Sequence, residues 1–191
     1  MKKFLAIVLT GAMALSFASC SSSDSGASLP ESSKIETTAE SEVSSTADSD
    51  FDPEFTFKTK DRDGNEYDES IFASNKLTMI NFWEPWCGPC VNEIPDLEKL
   101  YEKYKEQGFM ILGVYSETSM ENEVSEVLAS GKVSYPILHY STEFDQFQTG
   151  YVPTTVFVDS KGHIIKMDDG TNSVIGSNSY EGWEAVIKQY L

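Results

Sequence analysis

The chain of 191 residues is long enough for one domain with a modest core and too short for two full-sized ones. Its 31 acidic residues against 14 basic ones leave a formal charge of −17, which repels nucleic-acid phosphates and anionic lipid headgroups alike. Three cysteines are too few for a disulfide-stapled scaffold.

Lys2 and Lys3 precede an apolar run, Phe4 to Leu9, continued by Ala12 to Leu15 and Phe17. A short positive end before a short apolar stretch has the form of a secretory signal. Thr10 and Gly11 interrupt it, and it is too short to suggest a membrane-spanning helix. Phe17-Ala18-Ser19-Cys20 resembles a bacterial lipobox, which implies cleavage after residue 19 and lipidation of Cys20, although Phe17 stands where an aliphatic residue is usual. Ordinary cleavage near Ala18 would instead leave Cys20 as a free thiol. Losing residues 1–19 removes two lysines and no acid, taking the charge to −19. A lipid anchor would hold even so acidic a chain at a bilayer, at about 0.8 kcal/mol per buried CH₂.

Residues 20–50 are rich in Ser, Thr and acids and hold no aromatic residue. Such a segment cannot bury enough apolar surface to offset its ordering entropy, and it reads as a disordered tether. As a flexible coil it would reach roughly 30 Å.

Aromatic and aliphatic residues return at Phe51, so residues 51–191 form the expected globular domain. Phe55 to Thr59 alternates like a strand, and Asp63-Gly64-Asn65 turns it towards Tyr67 as a hairpin. Leu77 to Trp83 reads as a buried strand, followed by a helix from Cys87 to about Gln107 that Pro95 should kink. Phe109 to Tyr115 is a second buried strand, Glu121 to Ser130 a helix, and Val133 to Leu138 an extended piece. Glu143 to Gln148 reads as a helical turn. Thr154 to Val158 and His163 to Met167 predict a hairpin, and Tyr180 to Leu191 a closing helix. Strands alternating with helices, closed by a hairpin, indicate an α/β domain with a mixed sheet.

The chemistry gathers at Trp86-Cys87-Gly88-Pro89-Cys90. Two cysteines three apart, at a helix start directly after a buried strand, suit redox work. The first sulfur faces free N–H groups and the positive end of the helix dipole, which favour its thiolate. The second lies one turn further and can close the ring. We assign attack to Cys87 and resolution of the mixed disulfide to Cys90. A structural zinc would need a second ligand pair, but no further cysteine lies in the domain, and His139 and His163 stand apart. An inert structural disulfide is the bland alternative, though so short a bridge stabilises little. Neither a metal nor another cofactor is expected.

Residues 51–191 resemble the thioredoxin superfamily, specifically its extracytoplasmic TlpA/ResA-like branch. The matching text is Asn81-Phe82-Trp83, Trp86 to Cys90, Glu93 and Pro95, then Tyr151 to Asp159 with Lys161-Gly162. The resemblance implies a thioredoxin-like fold with an N-terminal hairpin extension. It also implies that Pro153 is a cis-proline facing the cysteine pair, with the backbone of Val152 pairing an extended substrate strand. Trp86, Gly88 and Pro89 would line the same substrate surface. Glu93 resembles the acid of a CxxCxxE pattern, positioned to take the proton of Cys90; a solvated helix acid is the alternative. Cytoplasmic thioredoxins carry Asp where Asn81 stands here, and an amide cannot act as a base. Glu84-Pro85 replaces the family's small residues. A charge there opposes a Cys87 thiolate unless it points into solvent, and a solvated Glu84 is the expectation.

The resemblance implies a thiol–disulfide oxidoreductase on the extracytoplasmic face of a bacterial membrane. Gly-Pro between the cysteines resembles low-potential, reducing members. A CcdA-like membrane protein would then supply electrons. Oxidised apocytochrome c, a methionine sulfoxide reductase or other surface proteins would receive them. A disulfide-forming oxidase uses the same residues with opposite electron flow, and a non-catalytic surface-binding lipoprotein is the remaining alternative. A peroxidase lacks its PxxxTxxC cysteine here, and no long coiled-coil pattern argues against a monomer.

Overall fold

The structure, a computed structural model, describes residues 51–191; the leader 1–19, the lipidation at Cys20 and the tether 20–50 lie outside the described residues. Strands β1 (Lys58–Lys60) and β2 (Glu66–Asp68) pair antiparallel as the N-terminal hairpin. Its turn is held by Asp61, whose carboxylate accepts from the backbone N–H groups of Asp63 and Asn65. A short helix α1 (Ser70–Ala73), not foreseen from the sequence, follows and buries Phe72.

The central sheet contains β3 (Leu77–Phe82), β4 (Phe109–Tyr115), β5 (Ile137–His139), β6 (Thr154–Asp159) and β7 (Val174–Ile175), in the order β5-β4-β3-β6-β7. The β3–β4 and β4–β5 pairs are parallel; β6 runs antiparallel to β3 and to β7. Helices α2 (Gly88–Tyr104), α3 (Glu121–Gly131) and α4 (Tyr180–Tyr190) complete the α/β architecture.

Both faces of the sheet are covered, which explains why β3 is buried at every residue. Side chains alternate between two cores. Leu77, Met79, Phe109, Ile111 and Phe157 join the core of α2 and α4, with Ile94, Leu97, Trp183 and Ile187. Ile80, Phe82, Leu112, Val114, Val156 and Val158 face the other way, onto Phe55, Phe57, Phe72, Phe144 and Phe147. By the same alternation Asn81 faces the helical side. Gly113 leaves room for Ile137, whose Cδ1 would stand 2.7 Å from a Cβ there and would have to shift.

α2 includes Pro95 within a single helix. One expectation needs correction. The hairpin partner at His163–Met167 is not a strand. Asp159 caps the turn through Lys161 N and His163 N, and a single bridge joins Val158 to Ile164. The chain then doubles back at Gly170, whose φ is +82°, and Val174–Ile175 takes the sheet edge instead.

Among the described residues no helix is long and apolar enough to cross a membrane.

Candidate functional site

The site lies at the junction of β3 and α2. Cys87 is the N-cap of α2, with extended backbone, and Pro89 occupies the first turn where its missing N–H costs nothing. The Cys90 N–H reaches the Cys87 sulfur at 3.2 Å. Cys87 and Cys90 form a disulfide with S–S 2.04 Å. Both are buried, Cys90 fully and Cys87 at 5% exposure.

The loop before β6 closes over the pair. The Val152–Pro153 peptide is cis, and the Val152 carbonyl oxygen lies 3.5 Å from Cys87 Sγ. On the far side of that loop the Gly176 N–H donates to the Pro153 carbonyl at 2.8 Å, tying it to the end of β7.

Three residues after Cys90, Glu93 is buried on α2. Its Oε1 accepts from Asn81 Nδ2 at 3.1 Å, and its Oε2 from Trp183 Nε1 at 3.0 Å and the Asn178 N–H at 3.1 Å. Burial pushes its pKa up, opposed by the hydrogen bonds from Trp183, Asn178 and Asn81. This carboxylate is therefore more basic than an ordinary glutamate, which suits a proton acceptor for a thiol.

Glu84 is not solvated. It is 7% exposed, and it accepts from the Ser116 N–H at 2.9 Å, the Ser116 hydroxyl at 2.5 Å and the Glu117 N–H at 3.1 Å. These donors belong to the turn that ends β4, where the strand ladder no longer supplies acceptors. Glu84 thus fastens that turn to the loop carrying Cys87.

Trp83 is core, whereas Trp86 is exposed. Among the described residues the exposed large apolar side chains are Trp86, Tyr151 and Ile175. Trp86 adjoins Cys87, Tyr151 adjoins Val152, and Ile175 stands opposite Thr154 in the sheet, so all three lie on the segments that flank the disulfide. Sequence reading missed Tyr151 and Ile175; position beside Val152 was the available signal for the first, and nothing marked the second. It also missed Trp183 and Asn178, because an apolar helix position and a loop amide carry no distinguishing pattern. His139 packs on Tyr115, and His163 pairs with Asp159 at 3.5 Å. Among the described residues no group of three or more His, Cys, Asp or Glu could hold a metal ion.

Comparison with known proteins agrees with this architecture. Thiol-disulfide oxidoreductase ResA of Oceanobacillus iheyensis is 32% identical over 124 residues, 62% of this chain and 62% of that protein. ResA of Halalkalibacterium halodurans is 34% identical over 97 residues, 50% of this chain and 54% of that one. The chain thus spans 54–62% of the length of these two relatives. A thioredoxin-family thiol:disulfide interchange protein from Chlorobium tepidum shares the fold, with TM-score 0.60 at 21% identity over 72% of this chain and 94% of that one. Residues 46–181 match the Redoxin family. A match that takes in most of the chain, thioredoxin-like sheet included, makes this protein a member of the Redoxin family.

Proposed function

We propose that the protein is a thiol–disulfide oxidoreductase that reduces protein disulfides outside the cytoplasm. One observation carries the reading: the Cys87–Cys90 disulfide caps α2 between the Val152 carbonyl and a buried Glu93 of raised pKa. The names of the ResA relatives support the same activity.

In the reduced protein the Cys87 thiolate, favoured by the N–H groups at the start of α2, attacks one sulfur of a substrate disulfide. The substrate S–S bond breaks and its other sulfur leaves as a thiolate. Cys90 then gives its proton to Glu93 and attacks Cys87 Sγ. The electron pair of the mixed disulfide leaves on the substrate sulfur, the Cys87–Cys90 bond forms, and two electrons have passed to the substrate. Substrate chain lies along Val152 and Pro153, between the exposed Trp86, Tyr151 and Ile175, with Gly88 and Pro89 leaving room at the sulfurs.

We place the protein by a lipid on Cys20 at the outer face of the membrane, with residues 20–50 as tether to the domain 51–191. Electrons then come from a CcdA-like membrane donor. They go to oxidised proteins such as apocytochrome c or a methionine sulfoxide reductase.

The deciding measurement is the midpoint potential of the Cys87/Cys90 pair in the purified chain. A value below about −220 mV fits a reductase, and one near about −120 mV makes the protein an oxidase. Loss of disulfide exchange in Cys87→Ser separates either from a binding module, which would lose nothing.

A further inference from the structure

The three donors around Glu93 are not shared evenly between its oxygens. Oε2 accepts two hydrogen bonds, from Trp183 and Asn178, whereas Oε1 accepts one, from Asn81. A carboxylate oxygen offers two lone-pair directions, so Oε2 is filled and Oε1 keeps one free. Asn81 is itself committed, since its amide nitrogen also donates to Thr155 Oγ1 at 3.0 Å. Cys90 lies one turn before Glu93 on the same helix, and both are buried.

We infer that Trp183 and Asn178 are positioning residues for the resolving step: by saturating Oε2 they leave Oε1 as the oxygen that receives the Cys90 proton. The Cys90 S–H bond breaks, an O–H bond forms on Oε1, and the sulfur electron pair is freed to attack the mixed disulfide. No outside oxidant or reductant enters this step. The inference rests on the proposed reading of Glu93 as the acceptor. It makes the closing helix α4, remote in sequence from the cysteines, a determinant of how readily Cys90 resolves.

The groups facing Glu93 can be named element by element. Asn81 from β3, Asn178 from the loop before α4 and Trp183 from α4 hydrogen-bond to it, Tyr135 from the segment before β5 feels its charge, and Cys90 stands one turn earlier on α2. Tyr135 is the titratable one besides the cysteines, and burial, then the charges of Glu98 and Glu93, keep its hydroxyl protonated throughout the working range. A pH transition below the range of the thiols therefore belongs to Glu93.

Trp183 also packs in the core, against Phe157 at 6.1 Å between ring centroids. Trp183→Phe keeps an aromatic ring in that space and removes only the N–H. Single-turnover reduction of an oxidised fluorescent peptide, followed against pH, should show its acid limb moved upward by about one pH unit in Trp183→Phe. The same limb should vanish in Glu93→Gln. An unmoved limb in Trp183→Phe, with the limb still lost in Glu93→Gln, overturns the inference and leaves the proposed function standing. A limb that persists in Glu93→Gln overturns the reading of Glu93, and the inference with it.

Should Trp183→Phe not fold, the wild type decides. With the indole N–H resonances sequentially assigned, that of Trp183 in the oxidised chain should titrate with Glu93, while those of Trp83 and Trp86 do not follow. A Trp183 resonance that stays flat through the Glu93 titration overturns the inference.

Discussion

Glu93 on α2 and Glu184 on α4 both bridge the same pair of helices, yet burial raises the pKa of the first while Lys103, Lys188 and Tyr104 hold the second down to about 2. Glu184 takes Lys103 at 2.5 Å, Lys188 at 3.0 Å and the Tyr104 hydroxyl at 3.0 Å. Glu184 also accepts from the Tyr180 hydroxyl at 3.4 Å, whereas Glu93 has three donors, none of which carries a charge. Neutral donors only partly offset what burial removes, whereas two ammonium groups at the surface overcompensate for little desolvation. The same residue type thereby has its pKa raised at one place and lowered at the other.

The sharpest test of this contrast is kinetic. Glu93→Gln keeps the shape of the side chain and removes its basicity. It should slow resolution of the mixed disulfide by about a hundredfold or more, so that the Cys87-linked intermediate accumulates and can be trapped with acid. Glu184→Gln should leave that rate alone.

Glu84 adds a third carboxylate, buried like Glu93 but employed to hold backbone. Truncation in Glu84→Ala removes the acceptor for the N–H groups of Ser116 and Glu117. Urea unfolding of the oxidised protein should show a loss of about 1–2 kcal/mol, near the low end for charged hydrogen bonds because water reaches that turn. Glu84→Gln, which keeps an oxygen acceptor, should cost less.

Much of this architecture can be read from the sequence because it depends on local pattern. The run Leu77 to Trp83 is apolar on both sides because both faces of the sheet are covered. Cys87, Gly88, Pro89 and Cys90 announce a helix start and a redox pair within four residues. The parts that escaped reading depend on partners far along the chain. Glu84 meets its donors 32 and 33 residues later, and Glu93 meets Trp183 after 90. Whether a carboxylate beside a cysteine is solvated or buried depends on those partners, and one-dimensional spacing holds no trace of them. The edge strand failed for a related reason. Val174–Ile175 is only two residues long, and its place follows from the turn at Gly170 rather than from any alternation of its own.

The contrast between the two acids also fixes opposite signs of pH dependence. For Glu93 the folded pKa lies above the ordinary 4.5, so over the window above that value the native state binds the extra proton. Its contribution to stability is present below about pH 4.5 and lost as pH rises through the folded pKa. The stability difference between the oxidised wild type and Glu93→Gln should therefore move against the wild type as pH rises above about 4.5 and through the folded pKa of Glu93. A difference constant over that range would mean that Glu93 ionises as it does in the unfolded chain.

The smallest effect belongs to Glu184, and its sign is reversed. Its folded pKa of about 2 lies below the ordinary 4.5, so its contribution is present above that value and lost as pH falls towards 2. Lys103 and Lys188 are half exposed, with 49% and 58% of their side-chain surface open, so salt screens the pairs and little stability rides on them. Glu184→Gln should lower the melting temperature slightly at neutral pH, with the gap closing on acidification and also in about 1 M salt. The Glu93 slope should survive that salt, because its cause is burial among neutral donors rather than attraction between surface charges. If salt abolished both, burial would no longer account for the raised pKa of Glu93, and the two acids would differ only in the sign of the charges around them.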